Sequence, residues 1–194
     1  MERCGRLLAW LKAGRADRAH SLGATLPTAV VQPSFWEPIH GIDLTGVSPT
    51  LGSGYPAPYD GPCRLRQRWR LGDLGGLTQF GVNLLKLPPG AWSSQRHWHS
   101  AEDEFVYVLQ GEVVLVSGAG EQVLRPGECA TFKAGEADGH HLQNRSGAEA
   151  VLLEVGGRDP VQDAVDYPDI DLQLTRGDRR YRHKDGTPYP PPVR

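Results

Sequence analysis

A chain of 194 residues can bury one compact core with extra length at its ends, and a second full domain is not expected. The 24 Gly and 16 Pro make about a fifth of it, short of the roughly 25–30% that marks low complexity, so they punctuate short strands. The net charge of −2 excludes a general attraction to nucleic acid or anionic lipid, and no apolar run approaches the ~18–20 residues that cross a bilayer.

Residues 1–26 carry five basic and two acidic residues around the apolar run Leu7 to Leu11, which is too short for a signal peptide. A frayed or weakly helical arm is expected there. Residues 27–62 are rich in Pro, Gly, Ser and Thr and read as a surface lead-in. The compact domain is expected to begin near Cys63. In Arg64-Leu-Arg66-Gln-Arg68-Trp-Arg70 the arginines share one strand face, expected to be solvated, with Leu65 and Trp69 opposite.

Further strands are predicted at 77–87, 93–99, 104–109, 112–117, 121–124, 128–132, 139–145 and 150–155, with glycine turns between them. No helical period is evident after Val30. Many short strands at regular spacing predict an all-β fold, a small antiparallel barrel or double-sheet jelly roll, with extended N- and C-terminal arms. The boundaries are 1–62 for the arm and lead-in, 63–157 for the barrel and 158–194 for a tail.

That tail runs from Asp159, Asp163, Asp166, Asp169 and Asp171 to Arg176, Arg179, Arg180, Arg182 and Lys184. Its tyrosines predict packing on the barrel or on a second subunit, with the acidic part facing the Arg64 to Arg70 stripe. Cys4, Cys63 and Cys129 lack the spacing of a disulfide framework or zinc ribbon, so a reducing, cytoplasmic compartment is expected. Cys129 reads as a buried structural thiol.

The chemistry concentrates in Gly90-Ala-Trp-Ser-Ser-Gln-Arg-His97-Trp-His99-Ser-Ala-Glu-Asp-Glu104. Alternate side chains of an extended chain share a face, so His97 and His99 point the same way. Glu104 heads the apolar strand Glu104-Phe-Val-Tyr-Val-Leu and needs a partner there. His140 supplies a fourth candidate ligand, with its neighbour His141 in reserve on the opposite face. Three imidazoles and one carboxylate suit manganese, iron, zinc, nickel or copper, and ligand type does not choose among them. Gln95, Asn144 and Arg96 are candidate pocket residues. No nucleophile elbow or phosphate-cradling glycine loop is present.

The pattern resembles the cupin family, whose first motif is Gly, His-x-His, Glu and Gly. Four residues separate His99 from Glu104 and six separate Glu104 from Gly111, as in that family. The second motif ends in His, three residues, Asn, which His140 and Asn144 match. Lys133 stands where the motif has proline, and four residues rather than two separate Gly135 from His140. The likeness extends from about Gly52 to Tyr189 and to phrases such as His183-Lys-Asp-Gly-Thr-Pro-Tyr189, as in single-domain bacterial cupins. It implies the fold, a divalent metal and a homodimer. Barrels of this kind host oxygenases, isomerases, lyases and sensor modules. Two functions follow as expectations: an enzyme acting on a small oxygen-rich molecule, a carboxylate or sugar derivative, or a non-enzymatic module that senses such a ligand.

Overall fold

The computed structural model describes residues 41–190. The arm expected over residues 1–26, with Cys4 and His20, lies outside the described residues, as does His40. The regular elements described are nearly all strands, in two layers, the double-sheet jelly roll expected from the sequence.

One layer is a six-stranded antiparallel sheet in the order β1-β2-β3-β10-β5-β8. Its strands are β1 (Thr50–Leu51), β2 (Gln67–Arg70), β3 (Phe80–Leu87), β5 (Glu104–Gln110), β8 (Cys129–Phe132) and β10 (Ala150–Gly157). β10 lies at the centre, paired with β3 from Ala150↔Leu87 to Gly157↔Phe80 and with β5 from Val151↔Gln110 to Gly156↔Glu104. The other layer contains β6 (Val113–Ser117), β7 (Gly120–Leu124) and β9 (His141–Gln143) in the order β7-β6-β9. A further sheet is ordered β12-β11-β4, from β4 (Trp98–His99), β11 (Val165–Tyr167) and β12 (Leu172–Leu174).

Single bridges, Trp92↔Gln143 and His97↔His140, join these last two sheets through residues 90–97. The strand predicted over 93–99 is therefore regular only at Trp98–His99. Local side chains take the bonds that a ladder would use: Leu142 N–H donates to Ser93 Oγ at 3.0 Å, and Gln95 N–H donates to the Tyr55 hydroxyl at 3.3 Å. One four-residue helical turn, α1 (Leu71–Leu74), follows β2 where no helix was expected.

Leu85, Leu87, Val106, Val108, Val113, Leu124, Leu142 and Leu152 bury between the layers and form an aliphatic core. They are the alternate positions of their strands, as a two-layer sheet requires. Gly111 lets β5 turn into β6: its φ is +72°, and a Cβ there would sit 2.6 Å from the carbonyl oxygen of Glu149. A second cluster is aromatic. It gathers Tyr55 from the lead-in, Cys63 just after it, and Val165, Tyr167 and Leu172 from the tail, with Tyr59, Trp92, Tyr181 and Tyr189 around them.

Three expectations are corrected. Arg66 and Arg68 do not lie on a solvated face: Arg66 is buried, Arg68 pairs with Glu154 at 3.1 Å, and Leu65 is the exposed residue. Alternation defines two faces without saying which is inner; here Arg66 and Arg68 turn inward, while Arg64 and Arg70 stay exposed as expected. The acidic tail does not meet that stripe, because Asp163, Asp166, Asp169 and Asp171 bond His99, Lys184, Arg96 and His183 instead. Cys129 is exposed, since β8 is an edge strand; Cys63 is the buried thiol, and burial pushes it up to about 11.

Candidate metal centre

His97 and His99 lie side by side next to β11, and Glu104 opens β5 on the facing sheet. The Oε2 of Glu104 lies 3.6 Å from His97 Nε2, 3.7 Å from His99 Nε2 and 2.9 Å from His140 Nε2. His97, His99 and Glu104 each offer a ligand atom within 4.8 Å of the other two. Bonds near 2.1 Å place neighbouring ligand atoms of a tetrahedral or octahedral ion roughly 3.0–3.4 Å apart, so this donor set fits a small divalent cation with modest contraction.

The other ring nitrogens show how the fit is prepared. His97 Nδ1–H donates to the carbonyl of Gln95 at 2.9 Å, and His99 Nδ1–H donates to Asp163 Oδ2 at 2.7 Å. Each bond fixes the tautomer that leaves the Nε2 lone pair bare. His140 differs. Its Nδ1 is buried without a partner among the described residues, while its ring stacks on Phe132 with centroids 3.4 Å apart. Its plane is held, and its Nε2–H donates to the ionised Glu104 carboxylate at 2.9 Å, so the proton must leave Nε2 before that atom can ligate a cation.

Electrostatics suit ligand duty at His97 and Glu104, whereas at His99 they favour a proton that a cation would have to displace. Burial, acting against the pull of Glu104, takes the His97 imidazole down to about 4, so it is neutral at pH 7. Burial would raise Glu104, but the bond from His140 and the neighbouring imidazoles hold it at about 2, ionised. Burial also disfavours the charge on His99, yet Asp163 and Glu104 outweigh it and raise that ring above its usual value.

His141, the reserve ligand, is turned away. Its Nδ1–H donates to the Ser94 carbonyl at 3.0 Å, its Nε2 accepts from the Gln143 amide at 2.9 Å, and Trp92 packs edge-on against it. Gln95 donates to Tyr59 O at 2.7 Å and so faces the lead-in. Asn144, fully buried, donates to Leu87 O and Ala148 O and closes the turn before β10. Arg96 forks onto Asp169 and also reaches Gly139 O at 3.2 Å. These three positions are spent on structure rather than on the cavity.

Sequence reasoning missed Asp163, Arg66, Arg68 and three tyrosines. Asp163 is buried, accepts from Ala101 N–H at 2.9 Å as well as from His99, and comes from the tail. A cavity of about 760 Å³ joins the cluster to Arg66, Arg68, Tyr55, Tyr167 and Tyr181. Tyr167 stacks on His97 with centroids 5.6 Å apart. Burial raises all three phenols, which stay protonated and can donate to a ligand. A smaller cavity of about 300 Å³ reaches His99, Glu104 and His140 from the side of β8.

A two-layer β fold with converging histidines and a carboxylate between its layers defines a class, the small jelly rolls with an internal polar site. Comparison with known proteins makes this specific. The Cupin domain family matches residues 83–156, which run from β3 to β10. A solved structure described as a sugar phosphate isomerase from a cupin superfamily, from Silicibacter pomeroyi, is 43% identical, covers 77% of this chain and 96% of its own, and superposes with a TM-score of 0.71. A candidate sugar phosphate isomerase from Acidithiobacillus ferrooxidans is 33% identical over 61% of this chain and 74% of its own, with a TM-score of 0.56. Comparison with curated protein sequences gives no match. The chain belongs to the cupin superfamily.

Proposed function

We propose that this protein is a metal-dependent isomerase of a phosphorylated sugar, with His97, His99, Glu104 and His140 holding one divalent first-row cation. The observation that carries the reading is the convergence of three imidazole Nε2 atoms on one carboxylate oxygen beside a cavity of about 760 Å³. That volume lies in the range of small-molecule sites. The names of the two similar structures support the substrate class.

Bound there, the cation would supply a Lewis acid that polarises a sugar carbonyl. The chain does the rest. The Gln95 carbonyl and Asp163 aim His97 and His99, and the ionised Glu104 offsets the charge that accumulates at the cluster. Tyr55, Tyr167 and Tyr181 keep their protons and donate to sugar oxygens. The tail strand β11 pairs with β4 at His99 and fixes the backbone of that ligand.

The physiological partner in this reading is a small molecule rather than nucleic acid or membrane, and the protein works as a cytoplasmic homodimer. Light scattering on the purified full chain tests the dimer. Elemental analysis of protein purified without a histidine tag tests the centre. About one equivalent of a divalent metal is expected, lost in His97→Ala and in Glu104→Ala. With the metal present, incubating aldose and ketose phosphates in deuterated water should give isomer exchange and deuterium at the carbon next to the carbonyl. A metal-replete protein that exchanges none of them is a binding module instead.

A further inference from the structure

We propose that Arg66, with Arg68 beside it, forms an anion subsite in the cavity of the His97–His99–Glu104–His140 cluster, and that it takes the phosphate of a phosphorylated sugar. This deepens the isomerase reading and rests on it for the sugar; the anion site itself stands on the charges of the cavity.

Arg66 is only 7% exposed, and no carboxylate lies within ion-pair distance of it among the described residues. Its Nε donates to Gly52 O at 2.8 Å and its Nη1 to Ser93 O, which fix the guanidinium plane without neutralising it. Its Nη2 makes no hydrogen bond to a described residue. A buried guanidinium held by neutral carbonyls keeps its full charge at a desolvation cost that an incoming anion would offset. Burial and the neighbouring Arg68 both pull its pKa down, the direction expected of a cation lacking its counter-ion.

Arg68 adds a second donor. Its Nη2 is matched by Glu154, but its Nε is buried with no acceptor among the described residues. Both side chains line the same cavity, and the planar forks of arginine fit phosphate oxygens in pairs.

The placement suits one ligand bound at two ends. β3 and β10 separate β2 from β5, and the register sets Arg68 level with Val108, several residues along β5 from Glu104, so the arginines and Glu104 stand at different ends of one sheet. Side chains reach inward from both ends and leave room for a short carbon chain between a phosphate and a pair of reacting oxygens. The two ends are also linked through protein. Ser93, whose carbonyl accepts from Arg66, meets Ser94 Oγ at 3.3 Å, and Ser94 Oγ lies 3.3 Å from His97 Nδ1.

The test is calorimetric titration of inorganic phosphate into the full chain, first stripped with a chelator and then metal-loaded. Saturable binding of one phosphate is expected in both forms. Arg66→Met should weaken it at least roughly tenfold while keeping the metal content of the unaltered protein. Arg66→Lys keeps the charge and loses the fork, so several-fold weaker binding is expected; it replaces Arg66→Met if that variant does not fold. A hexose 6-phosphate should bind the metal-loaded form more tightly than phosphate alone, and the unphosphorylated hexose more weakly than its phosphate ester. No binding of phosphate to the unaltered protein at roughly 10 mM would overturn the subsite, as would equal binding by the folded Arg66 variants. Metal without phosphate binding sinks the subsite and leaves the isomerase reading standing; phosphate binding without metal does the reverse.

Discussion

The two apolar clusters differ in chemistry and in origin. The aliphatic one is built from strands of residues 85–152 that alternate cleanly. The aromatic one joins Tyr55 of the lead-in to Tyr167 and Tyr181 of the tail, more than a hundred residues away, and one of its rings stacks on His97. The first makes a rigid two-layer scaffold. The second, whose buried members all come from outside the segment matched by the family, backs the candidate centre through Tyr167.

If the division is real, a cut in the aliphatic core should damage stability and leave the centre intact. Leu152 is fully buried on the central strand β10. Leu152→Ala should cost about 2–5 kcal/mol in denaturant unfolding, while metal content per folded chain stays unchanged. Loss of metal from the folded variant would mean that the two regions are not separable.

On the other side of the comparison, the metal-free centre should make stability depend on acid. The His97 imidazole falls from 6.5 to about 4 in the folded chain, and Glu104 from 4.5 to about 2. Both folded values are depressed, so the unfolded chain binds more protons as pH drops. The contribution of His97 is complete above about pH 6.5 and is lost as pH falls through 4, a change of up to about 3 kcal/mol; that of Glu104 is lost further down, between 4.5 and 2. Thermal unfolding of the chelated protein from pH 7 to pH 4 measures the His97 loss net of the opposite-signed contribution of His99, whose folded value is raised. His97→Gln should flatten it.

Much of the scaffold was legible because period-two alternation is a local signal: β3, β5, β6, β7, β8 and β10 all fall within the predicted strands to a few residues at either end. The pair His97 and His99 was legible for the same reason, as was the place of Glu104 at the head of β5. Three things were not. Alternation assigned Leu65 and the arginines to opposite faces but could not tell which face was inner, and the polar face of β2 proved to line a cavity. Asp163 lies 64 positions from His99, and their bond depends on how the tail folds back. β11 and β12 are three residues each, too short for a period to show.

The missed carboxylate gives the next test. Asp163→Asn preserves the shape and can still accept from Ala101 N–H, but it removes the charge that holds the His99 tautomer. Metal affinity, measured by competition with a coloured chelator, should fall about 10–100-fold, worth about 1.4–2.7 kcal/mol. An unchanged affinity would reduce Asp163 to a tie between the tail and the Ser100 turn, and the aromatic region would lose its claim on the centre.

The smallest effect belongs to Arg96, where the tail meets the loop of His140 at the surface. Its Nε and Nη2 each lie 2.6 Å from an oxygen of Asp169, but the two side chains are 20% and 54% exposed. Water and salt screen such a pair, so Arg96→Ala should cost no more than about 1 kcal/mol, and less at high salt. The same side chain also reaches Gly139 O and packs where a Cβ on Gly139 would lie 3.3 Å from its Cγ, one residue before His140. Nothing there fixes the His140 tautomer, so metal affinity should shift less than in Asp163→Asn. A larger shift would mean that the loop of His140, rather than the tail behind His99, sets the geometry of the centre.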